Sequence, residues 1–342
     1  MKEIIERVTF GKGNNEDYQL LKQSIKSDII RFQKEGGFEM IRNKTNETEV
    51  DNTEKIQISS LLEELCKGCN VIQNLEMYKG IIPFKWLKEE ENEEILMNIL
   101  NCGYLLLQLE DTVFYYKENE ILKDIYQVSN YKNGKLLYKV MEYLELYCSK
   151  ETEVYLIEVL DNRGVDVLKR TLDYYLSELS DDFKQKLIER TWFVIDSFTS
   201  IQDIAEGFIK CGIMQKVIQC YYSISNQTIQ KQIYWKLISL SSVLTNDLVL
   251  ELYTPKENCV LLTTLEADDP EMIKLYLTTI LKIFIAGDEI DQQKNPFLPI
   301  FYHHQFVSVL EKYIPSEDKE ISKFASYLLT LYFLGNDKNL VQ

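Results

Sequence analysis

The chain has 342 residues, of which only 13 are Gly and 6 Pro, while 45% are apolar and 27% charged. Turn residues this scarce exclude a sandwich or barrel, which needs a tight turn every 8 to 12 residues or so, and the apolar fraction excludes global disorder. Lys plus Arg count 38 against 54 Asp plus Glu, a net charge of −16, whose field repels phosphate backbones and anionic bilayers and so argues against nucleic acid or a membrane as partner.

The N-terminus, Met1 to Arg7, is charged and lacks an apolar signal-type core, and no run approaches the length of an uncharged membrane span. Seven cysteines, at 66, 69, 102, 148, 211, 220 and 259, are spread through apolar segments. That pattern is expected of free thiols in the reducing cytoplasm, with the nucleus as the alternative compartment.

Residues 1–36 are expected to form a capping helical segment with Tyr18, Leu20, Leu21, Ile25, Ile29 and Ile30 on its apolar face, because the end units of a stacked array need a cap. A recurrent grammar follows: a Gly or polar residue, an apolar pair, a short amphipathic helix, a polar break, and a longer amphipathic helix. Its starts fall at Gly37, Gly80, Glu120, Gly164, Gly212, Cys259 and Gln305, with gaps of 43, 40, 44, 48, 47 and 46 residues. This is the period of helical solenoid repeats.

Apolar spacing of three and four, as at Ile229, Ile233, Leu237 and Leu240, predicts long helices over 55–68, 92–109, 135–148, 182–199, 228–244, 270–286 and 317–334. Asp269 before Pro270, and Ser316 after Pro315, read as start signals. Gly287 and Gly335 read as left-handed helix ends. Residues 42–53, with one apolar side chain, read as a mobile loop. The array is therefore expected over 37–335, with 336–342 as a tail.

This order, clearest from Gly164 to Ser200 and from Gly212 to Val243, resembles the armadillo repeat family, with HEAT repeats a close neighbour. The likeness covers roughly residues 30 to 335, with the third and sixth units departing at the glycine. The resemblance implies an all-α fold, a right-handed α-solenoid of about seven armadillo-like helical repeats. It also implies a non-catalytic scaffold whose concave face, built from the long helices, holds a protein partner.

The chemical inventory agrees with that expectation. His303 and His304 are the only histidines; neighbours on a helix diverge by about 100 degrees and make no joint metal face. Cys66-Lys67-Gly68-Cys69 has no second pair, and Gly11-Lys12-Gly13 lacks the rest of a phosphate loop. The run Lys88 to Glu94 reads as a solvated turn whose carboxylates favour the positive end of the next helix. No catalytic residue, cofactor or metal is expected, and the protein is not expected to be an enzyme.

Trp192 and Trp235 stand 43 residues apart in successive long helices. They resemble the Trp of the Trp-x-x-x-Asn ladder with which armadillo proteins clamp an extended peptide, although Asp196 and Ser239 occupy the Asn positions. The resemblance implies a partner-binding set of Arg190, Trp192, Asp196, Trp235 and Ser239, whose acidic and hydroxylic lining suits a basic or extended peptide such as an import cargo. The plainer reading has both rings filling the seam between repeats. Armadillo arrays with an added N-terminal helical segment are also similar to the GTPase-binding part of formins and to armadillo-type exchange chaperones, which implies a small GTPase as the alternative partner.

Overall fold

Most of the long helices begin where an Asn or Asp side chain can accept from the free amides of a first turn, which is the local reason they start where they do. A computed structural model describes residues 1–47, 50–68, 78, 80–108, 116, 120–149, 159–160, 163–177, 182–253, 256–263, 269–291 and 294–334. Among the described residues all regular structure is helical. The chain divides into two compact units, Met1–Val194 and Ile195–Gln342.

The first unit contains α1 (Lys2–Thr9), α2 (Asn15–Ser27), α3 (Ile29–Lys34), α4 (Gly37–Asn46), α5 (Asn52–Gly68) and α6 (Trp86–Glu89). It continues with α7 (Glu93–Leu107), α8 (Ile121–Gln127), α9 (Gly134–Cys148), α10 (Gly164–Leu176) and most of α11 (Lys184–Phe198). Asn14, Asn92 and Asn133 cap α2, α7 and α9. The long helices α2, α5, α7 and α9 pack side by side in chain order.

The second unit holds α12 (Gln202–Lys210), α13 (Ile213–Tyr221), α14 (Gln227–Val243), α15 (Asn246–Leu252) and a 3-10 segment, Lys256–Thr263. After these come α16 (Pro270–Ile290), α17 (Leu298–His303), α18 (Phe306–Tyr313), and α19 (Lys319–Leu328), which runs on as a π-helical turn to Leu334. Asn226, Asp269 and Asp318 cap α14, α16 and α19. Here α14, α16 and α19 form the same kind of row.

The repeat starts have a common backbone signature. A residue with positive φ stands at Gly36 (91°), Gly80 (79°), Glu120 (52°), Arg163 (69°), Gly212 (83°) and Gln305 (59°), at or one residue before six of the seven expected starts. Glycine meets this left-handed turn without steric cost, as at Gly212. Glu120, Arg163 and Gln305 adopt it although their side chains disfavour it, so the repeat geometry overrides local preference. The start expected at Cys259 lies inside the 3-10 segment instead.

Each unit has an aromatic core. In the first, Tyr116 donates to the Gly103 carbonyl at 2.5 Å and packs edge-on against Phe84, and Tyr143 donates to the Leu100 carbonyl at 2.6 Å. A Cβ at Gly103 would strike both the Tyr143 hydroxyl and the Phe84 ring, so helices α7 and α9 approach this closely only over a glycine. In the second, Phe284 contacts Phe301 at 5.0 Å and Tyr332 at 4.8 Å between ring centroids. Burying each such ring stabilises by about 2–3 kcal/mol relative to exposure.

Several expectations are corrected. The N-terminal segment is three helices, because Asp28 caps α3 and separates it from α2. On its expected apolar face Tyr18, Leu21 and Ile25 are buried, but Leu20 and Ile30 are 46% and 61% exposed. Residues 42–46 belong to α4 rather than a loop: Lys44 is buried there, with its ammonium 3.0 Å from Glu47 and 3.1 Å from Glu54, and Tyr18 donates to the same Glu54 carboxylate at 2.9 Å. Gly287 does not end a helix. It lies inside α16, where the buried Asn295 amide occupies the space a Cβ would need. Asp318, not Ser316, caps α19, and Ser316 accepts from the Asp318 amide instead. Cys69, Gly335 and the tail 336–342 lie outside the described residues.

Candidate interaction surface

The polar positions of the long helices are linked one helix to the next. In the first unit the Lys22 ammonium donates to Ser60 at 2.6 Å, Lys26 pairs with Glu64 at 3.3 Å, and Asn101 donates to Glu63 at 3.2 Å. Further along, Lys139 sits 4.5 Å over the Tyr104 ring and pairs with Glu142 at 2.6 Å. These bonds tie α2 to α5, α5 to α7, and α7 to α9. A row held this way presents a fixed pattern of groups, because each side chain's rotamer is set by its neighbour.

Arg190 completes the row. Its guanidinium pairs with Glu145 and, at 3.1 Å, with Glu142, and lies 4.6 Å over the Tyr138 ring. Burial alone would lower its pKa, but Tyr138, Glu145 and Glu142 together raise it. The two carboxylates stand three apart on α9, one turn of helix, which is the spacing that lets one planar guanidinium reach both.

The remaining expected site residues fare differently. Trp192 is 2% exposed and belongs to the core of the first unit. In the second unit Trp235 is half-buried, edge-on to Tyr234 with centroids 5.1 Å apart, and Ser239 is exposed. Asp196 is half-exposed and pairs with Lys236 at 2.9 Å. Of the five, the first unit brings Arg190 into the polar row and withdraws Trp192, and the second leaves Asp196, Trp235 and Ser239 at or near solvent. The two rings thus have unlike surroundings, and the Asp196 carboxylate is already balanced by a lysine.

The other chemistry-bearing groups are placed as structural or solvated elements. Cys66 and Cys102 are buried; burial, then the neighbouring Cys66 sulfur, pushes the Cys102 thiol well above its ordinary value. Burial likewise pushes Cys148 up to about 12. The Cys102 and Cys148 thiols therefore stay protonated and unreactive at neutral pH. His303 ends α17, and both histidines are exposed, their rings at 85° to one another.

In the run from Lys88, Glu93 and Glu94 do occupy the first turn of α7, as expected. Glu90 does not behave as a solvated residue. It is 4% exposed, accepts from the Glu91 and Asn92 amides at 3.0 Å each, and pairs with Lys55 at 3.0 Å. Among the described residues no helix is long and apolar enough to cross a membrane.

No family model matches the sequence, and no curated protein matches it either. Among solved structures the chain is similar to an engineered protein from a structural-genomics programme, with a TM-score of 0.50 and 14% identity, covering 96% of this chain and 87% of that one. It is also similar to a designed armadillo repeat protein, with a TM-score of 0.35 and 14% identity, covering 85% of this chain and 97% of that one. At such identities the first likeness shows the fold alone. With the recurrent order of left-handed turn, short helix and capped long helix, it defines an all-α repeat protein of the α-solenoid class. No function and no partner follow from the fold alone.

Proposed function

We propose that the protein is a non-catalytic interaction scaffold. The row of long helices holds a partner protein along residues 37–335, and residues 1–36 serve as the array's cap. The observation that supports this reading most is the continuous polar row of the first unit, from Lys22 through Glu63 and Glu142 to Arg190, in which side chains of successive helices fix one another. Pre-set polar groups along a solvated face reduce the ordering cost of binding.

The narrower readings have less behind them. No residue singles out a small GTPase, and an import-type cargo would have to compete with Lys236 for Asp196. Affinity purification of the full chain from its source cell, in the cytoplasm or nucleus, tests the reading. A stoichiometric protein partner is expected, and recovery of none contradicts it. Pull-downs with GDP-loaded and GTP-loaded small GTPases decide the GTPase case: binding in one state supports it, and none in either removes it.

A further inference from the structure

Three neighbouring hollows that share lining residues lie along the short helices of the first unit, the third reaching α9 at Leu137. The first, about 230 Å³, is bounded by Gly80, Pro83, Lys85 and Asp124. The second, about 370 Å³, lies between Lys88, Glu120, Lys123, Asp124, Arg163 and Arg170. The third, about 660 Å³, is walled by Tyr131, Leu137 and Tyr174, with Lys132 and Arg170 at its edge. Asp124 is common to the first and second, and Arg170 to the second and third.

The charge of this groove is opposite to that of the chain. Six cations line it (Lys85, Lys88, Lys123, Lys132, Arg163 and Arg170) against the three carboxylates Glu120, Asp124 and Asp173, in a chain of net charge −16. Lys88 is taken up by Asp124 at 2.8 Å and Lys123 by Glu120 at 2.5 Å. Arg170 donates to Ser129 at 2.9 Å, a neutral partner. Arg163, Lys85 and Lys132 have no carboxylate in ion-pair reach among the described residues.

Backbone geometry singles out the same place. Glu120 and Arg163, two of the three non-glycine residues with positive φ among the described residues, both line the second hollow. At the corresponding turn other repeats use Gly36, Gly80 and Gly212. A charged side chain kept where glycine is easier is a local departure of the kind that clusters at binding sites. Arg163 stands just before α10, at its left-handed N-cap, and Arg170 lies within α10; both line the second hollow.

The geometry points to a docking groove for a short acidic segment of a partner protein, carrying one apolar side chain beside its carboxylates. This deepens the scaffold reading and rests on it. Neighbouring helices lie about 8–10 Å apart, so a groove over three of them takes about five or six extended residues at roughly 3.3 Å each. Carboxylates meet Arg163 and Arg170, whose planar forks match them, and the apolar side chain enters the hollow of Tyr131, Leu137 and Tyr174. A long polyanion or a bilayer would run off this patch onto acidic surface, which a short segment need not do.

Fluorescence anisotropy on the full chain tests this, using a labelled ten-residue Glu/Asp peptide with one central Phe. A Lys-for-acid version of the peptide and phosphatidylserine vesicles serve as competing probes. The acidic peptide is expected to bind, and to bind at least ten-fold more weakly in the Arg163→Gly, Arg170→Gln double variant. Glycine is the residue other repeats place at that turn, so this variant keeps the fold, and an unchanged thermal melt checks it. No binding of the acidic peptide, equal binding in the double variant, or preference for the vesicles would overturn the groove. Those results leave the scaffold reading standing, because that one is tested separately, by recovery of a stoichiometric partner from the source cell and by where that partner cross-links.

Discussion

The Lys236 ammonium lies 2.9 Å from an Asp196 carboxylate oxygen and 3.3 Å from the Asp196 carbonyl oxygen, so one lysine engages both the side chain and the backbone of the residue expected to receive a partner's basic group. The arrangement recurs one repeat on, where Lys282 donates to the Ser242 carbonyl at 3.0 Å. Lysines at this level of the second unit tie successive long helices together at their C-terminal ends, where carbonyls lack helical partners.

Replacing Lys236 by Met frees Asp196 while keeping the apolar stem. Because the carboxylate is half-exposed, the pair contributes under about 1 kcal/mol, and a double-mutant cycle with Asp196→Asn in urea unfolding is expected to give a coupling of that size. If basic peptides use this surface, Lys236→Met also tightens their binding. A weaker affinity in the variant contradicts that use.

The left-handed turns predict an asymmetry. A Cβ at Gly212 meets nothing within 4 Å, so Gly212→Ala pays only for its backbone conformation, about 1–2 kcal/mol. Glu120→Gly relieves the same strain but loosens the unfolded chain, so its net effect stays within about 1 kcal/mol of zero. Chemical denaturation of both variants checks the pair. Equal losses would mean that the turn is not the constraint described.

Asn295 fastens the loop after α16: it donates to the Phe284 carbonyl at 2.7 Å and to Asp288 at 2.8 Å, and accepts from the Phe297 amide at 3.0 Å. Asn295→Ala is expected to cost about 2–3 kcal/mol. Gly287→Ala also destabilises, because its Cβ overlaps Asn295, and this second cost shrinks in the Asn295→Ala background. Additive losses in the double variant would show that the two residues do not share one site.

Glu90 sets part of the acid limit. Burial alone would raise its carboxyl pKa, but the Asn92 amide, the Lys55 ammonium and the Glu91 amide outweigh it and hold the group below the usual carboxylate range. A carboxyl more acidic folded than unfolded contributes stability that is fully present above its unfolded value and is lost as pH falls through the folded one. Glu90→Gln is therefore expected to lower stability at pH 7 by about 1–2 kcal/mol and to flatten the decline below about pH 4.5. An unchanged pH profile in this variant would remove Glu90 from the acid transition.

Much of this architecture is legible from sequence because two local signals coincide: apolar spacing for the long helices, and a cap just before them, as at Asp269 before Pro270. The turns at Glu120 and Gln305 were found by their place in the repeat, not by residue type, since neither is a glycine. What fails to show is pairing across repeats. Residues 42–46 look like loop by polarity, yet Lys44 is buried because Glu47 and Glu54 compensate it. Asp196 likewise looks like a free acid until Lys236, 40 residues on, is brought beside it. The groove at Arg163 and Arg170 is illegible for the same reason: its cations come from α6, α8, α10 and the turn before α10, and converge only in the fold.

Cross-linking mass spectrometry on the full chain, purified with whatever it carries from its source cell, tests the scaffold claim most directly. One stoichiometric protein partner is expected, with cross-links concentrated on the long-helix lysines Lys22, Lys26, Lys67 and Lys139. Purification as a bare chain, or cross-links scattered without preference for these helices, would contradict it.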